Sequence, residues 1–255
     1  MYDLSDKTVL VTGASKGIGA AIARQCGEAG AAVVAHYGTD RAGAEAAVSG
    51  IAESHKKLLS SDFADLDSVE ALWQSAEDWR GRIDVLVNNA ATMAWDGGID
   101  QPLDVWDEVW DNTLRVNVLA PARLLRRALL HFLAKGRGTV ITISSWSAHK
   151  GVTNPATIAY GASKAAIHNA TKTIAHAYAD RGILAYAIAP GVVRTRLSEQ
   201  FADTQGGESR ITQSLSMKEW VPPDDVAATA VFLASGRSRH LSGATLDVNG
   251  ASYIR

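Results

Sequence analysis

Residues 8–19 read TVLVTGASKGIG and join a short apolar run to a glycine-rich turn. The first four of them, Thr8–Val11, have the β-branched composition of a buried strand, and Gly17 opens a stretch with helical periodicity. A turn between a strand and a helix can hold a pyrophosphate on its backbone N–H groups, because glycine permits close approach and the helix N-terminus attracts anions. The spacing is Gly-x-x-x-Gly-x-Gly, which differs from the common dinucleotide fingerprint.

Short apolar runs alternate with alanine-rich helical stretches along the rest of the chain. Further strands are predicted at residues 32–35, 57–60, 84–87, 139–143, 184–188 and 245–248. Helices are predicted at residues 17–29, 41–51, 68–79, 105–112, 116–134 and 160–179. Continuously apolar strands indicate a sheet that is covered on both faces. We therefore predict an α/β fold: a Rossmann-type, doubly wound, parallel seven-stranded sheet with helices on both faces.

The chain contains no linker, repeat or low-complexity stretch, so residues 1–255 are predicted to form a single dinucleotide-binding and catalytic domain. The least regular stretch is residues 197–223, which holds the pairs Gly206-Gly207 and Pro222-Pro223. An excursion after a late strand of such a sheet lies near the ligand crevice. We expect this segment to act as a substrate lid.

Composition excludes several classes of function. The 25 Lys and Arg against 27 Asp and Glu give a net charge of −2, which provides no electrostatic basis for binding nucleic acid or an anionic membrane. The single cysteine, Cys26, excludes a disulfide framework and a cysteine-built metal site, and the seven histidines show no ligand spacing. With no apolar run of membrane-spanning length and no signal-peptide stretch, we expect a soluble, cytoplasmic protein without a metal.

Further motifs follow the glycine turn in a fixed order. They are Asn88-Asn89-Ala90-Ala91, Asn117, Ser144-Ser145, Tyr160-Gly161-Ala162-Ser163-Lys164 and Pro190-Gly191-Val192-Val193-Arg194-Thr195. With them the chain resembles the short-chain dehydrogenase/reductase family, in its compact single-domain subgroup, and is similar to 3-oxoacyl-carrier-protein reductases and carbonyl reductases. The resemblance covers nearly the whole chain, and it is the common order of the motifs that makes it specific.

Tyr160 and Lys164 are the central pair of the predicted catalytic site. They lie four positions apart on a predicted helix, so their side chains are neighbours on one face. An ammonium group beside a phenol favours the phenolate and lowers the phenol's pKa from its usual value of about 10. We therefore predict that Tyr160 donates a proton to a carbonyl oxygen during reduction, or accepts one from an alcohol during oxidation.

A serine hydroxyl and an asparagine complete the catalytic set that the resemblance implies. The end of the fifth predicted strand selects Ser145 to hydrogen-bond the substrate oxygen, whereas counting back from Tyr160 by the family's common gap selects Ser147. Strands tolerate insertions less well than loops, so we favour Ser145. The family's asparagine, here Asn117, holds a water that links the lysine to solvent; a buried asparagine bound by backbone groups is the alternative.

The resemblance also implies a set of cofactor contacts. They are Gly13, Ser15, Lys16, Gly17, Ile18 and Gly19 in the turn, then Tyr37, Arg41, Asp62, Phe63, Asn89, Ala90, Tyr160, Lys164, Pro190, Gly191, Val193 and Thr195. An acid that would bind an NAD ribose is expected about 20 residues past the turn, but Tyr37 occupies that position, and nearby Asp40 is predicted to cap the next helix. Lys16 and Arg41 are able to pair with a 2′-phosphate. NADP(H) is favoured, with NAD(H) as the alternative.

These observations predict an NAD(P)-dependent oxidoreductase that transfers a hydride between nicotinamide and the carbonyl or alcohol of a small, rather apolar substrate, of ketone or 3-oxoacyl type. The expected substrate pocket comprises residues 92–95, Trp146 with His149, and residues 192–201. One alternative is an NAD-dependent alcohol, polyol or sugar dehydrogenase, and another, from a different class, is a non-catalytic dinucleotide sensor. The resemblance further implies a homotetramer or homodimer.

Overall fold

Residues 2–255 are described by a computed structural model, so Met1, the first residue of the predicted domain, lies outside the described residues. The strands are β1 (Thr8–Val11), β2 (Ala32–Tyr37), β3 (Lys56–Ser60), β4 (Val85–Asn88), β5 (Gly138–Ile143), β6 (Ile183–Pro190) and β7 (Thr245–Val248). All six pairings between neighbouring strands are parallel, in the spatial order β3-β2-β1-β4-β5-β6-β7. The predicted doubly wound sheet is confirmed.

Helices cover both faces of this sheet. They are α1 (Gly17–Glu28), α2 (Arg41–Ala47), α3 (Leu66–Arg80), α4 (Leu103–Leu114), α5 (Ala120–Lys135), α6 (Ser147–Lys150), α7 (Ile158–Tyr178), α8 (Arg196–Thr204), α9 (Glu208–Ser214) and α10 (Pro223–Ala234). Val9 and Val11 of β1 belong to the core cluster that includes α1 and α10. Leu10 points to the opposite cluster, which includes α3, α5 and α7. Alternate side chains thus supply two cores, which explains the continuously apolar strands.

The ligand crevice lies where the winding of the sheet changes direction. β1 pairs with β2 on one side and with β4 on the other, so the chain leaves β1 toward one edge of the sheet and returns to build the other half. In sheets of this kind, the loops at the carboxyl ends of the strands diverge at that point and leave a cleft. The glycine turn after β1 and the Asn88-Asn89 segment at the end of β4 border the same cleft.

The six predicted helices differ from the observed ones by one or two residues at most ends, and two of them differ by four residues at one end for local reasons. α2 ends at Ala47 rather than at residue 51, and the Ser49 hydroxyl, just beyond it, donates to the Ala46 carbonyl at 2.9 Å in competition with further helical hydrogen bonds. The helix predicted from residue 116 begins instead with a π-helical turn, Arg115–Leu119, that continues α4 into α5. Pro121 offers no N–H there, so a carbonyl one turn earlier lacks its usual donor.

The segment at 197–223 is more regular than expected. It contains most of α8 and all of α9, joined through Gly206 and Gly207, both with positive φ. An isolated bridge between Val193 and Val221 closes the base of the excursion. Val192, Ala202, Leu215 and Trp220 form a small core of their own, against which Trp146 packs. The prediction of irregular structure was wrong, because this short apolar set orders two helices that the polar sequence obscures.

Among residues 2–255, no helix combines the length and apolar character needed to cross a membrane. Within the same residues, no group of three or more His, Cys, Asp or Glu side chains is arranged to hold a metal ion. The Cys26 thiol, on the buried face of α1, is fully buried in the core, and burial raises its pKa to about 12.

Candidate active site

The glycine turn after β1 lines a crevice of about 600 Å³. Gly13 has φ of +66°, a left-handed conformation that favours glycine. Gly19 is required for a different reason: a Cβ at that position would lie 2.1 Å from the Gly13 carbonyl oxygen and 2.4 Å from the Asn89 side-chain nitrogen. The turn and the first turn of α1 are therefore in such close contact that a larger residue at Gly19 would displace backbone.

Side chains from neighbouring strands hold this turn in place. The Asn89 amide donates to the Thr12 carbonyl at 2.8 Å and to the Gly13 carbonyl at 3.2 Å. In return, the Thr12 hydroxyl oxygen accepts from the backbone N–H groups of Asn89, at 2.9 Å, and of Ala90, at 3.0 Å. The ends of β1 and β4 are thus cross-linked through Thr12 and Asn89, which fixes one wall of the crevice.

His36, which the sequence reasoning did not select, braces the turn from β2. Its Nδ1 accepts from the Gly13 N–H at 3.1 Å, and its Nε2 lies 3.1 Å from the Ser61 carbonyl oxygen, to which it donates in the matching tautomer. Its ring stacks on Phe63 at 4.5 Å. Burial lowers the pKa of His36 to about 4, so the ring is neutral at physiological pH. A polar residue near the carboxyl end of an otherwise apolar strand was the available signal.

Most predicted cofactor contacts line the crevice. They are Gly13, Ser15, Lys16, Gly17, Ile18, Gly19, Asp62, Phe63, Asn89, Ala90, Tyr160, Lys164, Pro190, Gly191, Val193 and Thr195. Tyr37 and Arg41 are not among the lining residues. The exposed Arg41 guanidinium pairs with Glu45 at 2.7 Å instead, whereas Asp40 lines the crevice and caps α2 by accepting from the Gly43 N–H at 2.9 Å. That cap has the role predicted for Asp40.

Tyr160 and Lys164 lie in the same crevice, one helical turn apart on α7. The Lys164 ammonium donates to the Ile143 carbonyl at 2.9 Å and lies 5.7 Å from the centre of the Tyr160 ring. Burial lowers the pKa of Lys164 to about 8 and raises the pKa of Tyr160 to about 12. The pKa of Tyr160 thus moves opposite to the predicted direction, because the cost of burying a phenolate outweighs the opposing hydrogen bond from Ser145.

The two candidate serines form a hydrogen-bonded pair. The Ser147 hydroxyl donates to Ser145 Oγ at 2.8 Å, and the Ser147 backbone N–H points at the same oxygen at 3.1 Å. Ser145 in turn hydrogen-bonds to the Tyr160 side chain, and this hydrogen bond acts to lower the pKa of Tyr160. Because Ser145 Oγ accepts both hydrogen bonds, its own hydrogen remains available to a substrate oxygen or to Tyr160.

Asn117 is buried in the π-helical turn, behind the crevice. Its amide group donates to the Thr92 carbonyl at 2.8 Å and to Ser163 Oγ at 3.0 Å, and its oxygen accepts from the Thr92 N–H at 2.8 Å. Both amide hydrogens are therefore used within the protein, which matches the alternative of a backbone-bound asparagine. A water at Asn117 would have to donate a hydrogen bond to a carbonyl oxygen of this residue, because both side-chain N–H groups already have partners.

A smaller cavity of about 200 Å³ shares Tyr160 and Ser145 with the crevice. Of the predicted pocket residues, Met93, Trp146, Val192, Leu197, Ser198 and Phe201 line it. Trp95 and His149 do not line it: the Trp95 ring lies 6.3 Å from that of Phe201, and the His149 ring contacts His168 at 4.5 Å. Lys150, which the sequence reasoning did not select, is part of the lining.

The crevice has the features that a nicotinamide dinucleotide requires. The first N–H groups of α1 have no intrahelical partner, and the N-cap residue Lys16 forms no side-chain cap. These N–H groups at the helix N-terminus are available to a pyrophosphate. Phe63, Tyr160 and Lys164 also line the crevice. The residues present therefore fit the cofactor.

Comparison with known proteins gives independent findings. The profile of a family described as enoyl-(acyl carrier protein) reductase matches residues 13–251. The chain is 40% identical, over 260 residues, to 3beta-hydroxysteroid dehydrogenase 1 of Eggerthella lenta, with 100% of this chain and 97% of that protein covered. Among the solved structures that it matches is 3-ketoacyl-(acyl-carrier-protein) reductase from Brucella melitensis complexed with NADH, at a TM-score of 0.85 and 28% identity, covering 97% of this chain and 98% of the other.

A second solved structure is similar at 34% identity and a TM-score of 0.88, with 98% of each chain covered; it is a provisionally named NAD(P)-dependent gluconate 5-dehydrogenase from Beutenbergia cavernae with bound NADP at low occupancy. The relatives are named dehydrogenases and reductases, and the two solved structures are described with NADH or NADP bound. This protein is therefore an NAD(P)-dependent oxidoreductase, and the alternative of a non-catalytic sensor is not favoured. With the profile match and the relatives covering almost the entire chain, the protein belongs to the short-chain dehydrogenase/reductase family.

Proposed function

We propose that the protein uses NADP(H) to reduce the carbonyl group of a small substrate with an apolar body, of ketone or 3-oxoacyl type. The observation that carries this proposal is the shared position of Tyr160 and Ser145, which line both the crevice with the glycine turn and the smaller cavity. A substrate in the cavity would thus present its oxygen to both hydroxyl groups while its carbon faces the crevice.

In this proposal Tyr160 is the general acid of the reduction. Burial keeps its phenol protonated at neutral pH, which is the state needed to donate a proton to a carbonyl oxygen. Ser145 donates a hydrogen bond to the same oxygen and stabilises the negative charge that develops there. The nicotinamide, when bound, supplies the hydride. The Ser145–Ser147 pair favours Ser145 over Ser147 for this role, since Ser147 is already committed as the donor of the pair.

Lys164 and Asn117 are assigned supporting roles in the same proposal. The Lys164 ammonium, with its pKa near 8, is able to return a proton to Tyr160 after turnover. It lies buried behind the phenol, so its own proton must come from solvent through water. The turn at Asn117 and Pro121 leaves a backbone carbonyl without its usual donor, and that carbonyl would hold such a water.

The reaction is tested with a panel of ketones, 3-oxoacyl thioesters and the corresponding alcohols, assayed at the absorbance of reduced nicotinamide. The proposal predicts that NADPH is oxidised in the presence of at least one small carbonyl compound, and that the Tyr160→Phe variant does not support this turnover. A wild-type protein that oxidises alcohols with NAD but reduces no carbonyl compound would contradict the proposed direction and favour the second candidate below.

The preference for NADP(H) rests on Lys16, an exposed residue of the turn. Lys16 is the N-cap residue of α1, and its side chain makes no capping hydrogen bond to the helix. Arg41 supplies a second positive charge, although its guanidinium must exchange Glu45 for the 2′-phosphate. The Lys16→Ala, Arg41→Ala double variant is expected to bind NADPH at least tenfold more weakly while its affinity for NADH changes by less than threefold. Equal weakening of both cofactors would contradict a phosphate contact.

Oxidation of an alcohol, polyol or sugar with NAD is a second candidate, and one observation favours it. Asp40 lines the crevice near the expected adenosine ribose, whereas Arg41 does not. A carboxylate at that place binds the ribose hydroxyls and repels a 2′-phosphate. Asp40→Ala separates the two candidates: a weakened NADH complex would favour this candidate, and an unchanged one would leave Asp40 as a helix cap only.

We further propose that residues 197–223 act as the lid of the substrate cavity and that the protein forms a homotetramer or homodimer in the cytoplasm. Leu197, Phe201 and Ile211 of this segment line the cavity, which supports the role of a lid.

The proposed assembly is supported by two exposed apolar side chains. Leu103 and Ile158, at the starts of the packed helices α4 and α7, are 73% and 38% exposed and offer an apolar surface for a second copy. Sedimentation equilibrium should give the molecular mass of two or four chains. The mass of a single chain at micromolar concentration would contradict the assembly.

A further inference from the structure

The smaller cavity has one formally charged side chain in its lining. Apolar side chains form much of its wall, and neutral hydroxyl, amide and glycine residues form most of the remainder. The apolar residues are Met93, Trp146, Val152, Val192, Leu197, Phe201 and Ile211. Lys150 is the single charged residue among the described residues that line it, and no carboxylate does so. Lys150 itself is exposed, so its positive charge lies where a largely apolar cavity meets solvent and is able to bind a ligand that carries a negative charge.

The position of the ammonium group is well defined. Lys150 ends the short helix α6, where its N–H donates to the Trp146 carbonyl at 3.1 Å, so the two side chains share one face of the helical turn. The Lys150 ammonium lies 3.6 Å from the centre of the Trp146 ring, in a cation–π contact. The Trp146 ring in turn packs against the small core that contains Val192 and Trp220. The charge is therefore held at the cavity wall by a fixed aromatic surface.

No acidic side chain of residues 2–255 neutralises this ammonium group. Lys150 forms no ion pair within 4 Å in that part of the chain, and the lid acid Glu208 pairs with Arg194 at 2.7 Å. Although Lys150 is exposed as a residue, partial burial of its ammonium group lowers its pKa. A carboxylate on a bound ligand would form a charge-assisted hydrogen bond with the ammonium group, and would so balance its unpaired charge and offset its partial burial.

We propose that Lys150 binds the carboxylate of the substrate, and hence that the substrate is a small oxo acid, or the corresponding hydroxy acid, with a short apolar chain between its carboxylate and the reacting carbon. This inference rests on the proposed function, because it takes Tyr160 and Ser145 as the site of the carbonyl oxygen. A cavity of about 200 Å³ accommodates on the order of seven to ten non-hydrogen atoms at roughly 20–30 Å³ each. Oxo acids of about five to seven carbons have that size.

The test compares oxo acids with their methyl esters, which differ in charge and little in shape. A series of (ω−1)-oxo acids of four to eight carbons, each with its ester, is assayed with NADPH at one pH. We expect the wild type to prefer the acid at one chain length by at least tenfold in kcat/KM. Lys150→Met should lower kcat/KM for the acid at least tenfold more than for the ester and so remove that preference, whereas Lys150→Arg should retain it. Lys135→Met, at an exposed lysine at the end of α5, is the matched control.

A second measurement does not depend on turnover. Trace acetylation of the NADPH-bound wild type, with the Lys150 peptide read by mass spectrometry, should be slowed at least threefold by hexanoate and not by hexanamide. A wild type that prefers the ester, or a Lys150→Met variant that affects acid and ester equally, would overturn the inference and leave the proposed reduction intact. If no carbonyl compound is reduced, the reduction is refuted and the labelling decides: protection by hexanoate supports an anion site at Lys150, and unchanged labelling overturns it.

Discussion

The crevice and the smaller cavity meet at Tyr160 but are built in different ways. The crevice is formed largely by backbone: the glycine turn, the first N–H groups of α1, and the cross-link between Thr12 and Asn89. The cavity is formed by side chains that come from α6, α8, α9 and separate loops. A surface made of backbone depends on a few glycines and hydrogen-bonding partners, whereas a surface made of side chains changes with each residue. Substitutions should therefore affect the two sites differently.

The largest effect is expected from Tyr160→Phe, at the junction of the two sites. Removal of the phenol hydroxyl deletes the proton donor, and kcat should fall at least 10³-fold. Binding of NADPH should stay within threefold of the wild type, because the turn that holds the cofactor is unchanged. Single-turnover absorbance and a fluorescence titration measure the two quantities. Retention of more than a tenth of the activity would remove Tyr160 from the role of acid.

His36 provides a test of the crevice through pH. The pKa of His36 is lowered from 6.5 to about 4 in the folded protein, so between those values the unfolded chain binds a proton that the folded chain does not. The free energy of unfolding should therefore fall as pH decreases from 6.5 to 4, by about 3 kcal/mol from this residue alone, and be unaffected by it above pH 7. Urea unfolding of the wild type and of His36→Asn measures the difference.

The Asn side chain keeps an acceptor near the Gly13 N–H but does not titrate in this range. The variant should lose stability less steeply than the wild type below pH 6.5, and its affinity for NADPH should become less dependent on pH. Identical pH slopes for the two proteins would show that protonation of His36 does not oppose folding.

Gly19→Ala distinguishes a backbone-built crevice from one that can adjust. The added Cβ would lie 2.1 Å from the Gly13 carbonyl oxygen, so the turn must move and the affinity for NADPH should fall about 100-fold. Gly50→Ala is the control, because nothing lies within 4 Å of a Cβ at that position. Isothermal titration of both variants gives the comparison, and a Gly19→Ala protein that binds NADPH normally would contradict the close packing described here.

A smaller effect is expected at the serine pair. Ser147→Ala removes a hydrogen bond to Ser145 Oγ, worth about 1 kcal/mol, and should lower kcat about fivefold with little change in KM. Ser147→Thr restores the hydroxyl and should recover most of the loss. Steady-state kinetics of the two variants supply the measurement; a Ser147→Ala enzyme as impaired as Ser145→Ala would transfer the main role to Ser147.

The same contrast explains what the sequence predicts and what it does not. The strands and the turn after β1 are local features: a β-branched run, a glycine spacing and a helix that follows are enough to identify them. The helices at 196–214 were missed because their burial depends on contacts with residues outside the two helices, among them Trp146, which is distant in sequence. The shift in the pKa of Tyr160 was predicted with the wrong sign, because burial is a property of the whole fold.

Side-chain contacts account for the remaining differences at the site. His36 acts through Gly13, which is 23 positions away, and neither residue alone indicates the contact. Arg41 was expected to reach the cofactor, but Glu45, one helical turn later in α2, pairs with it. The Lys150 ammonium lies over the ring of Trp146, which is four positions earlier. The contact of His36 depends on tertiary packing, whereas the other two are local contacts at i,i+4 spacing.

The most direct test of the account is a fluorescence titration of the purified wild type with NADPH and with NADH, each alone. The account predicts saturable binding of one cofactor per chain, with NADPH bound at least tenfold more tightly than NADH because Lys16 meets the 2′-phosphate. Tighter binding of NADH would contradict the NADP(H) preference and assign the ribose to Asp40. Binding of neither cofactor would contradict the central claim that the glycine turn holds a nicotinamide dinucleotide.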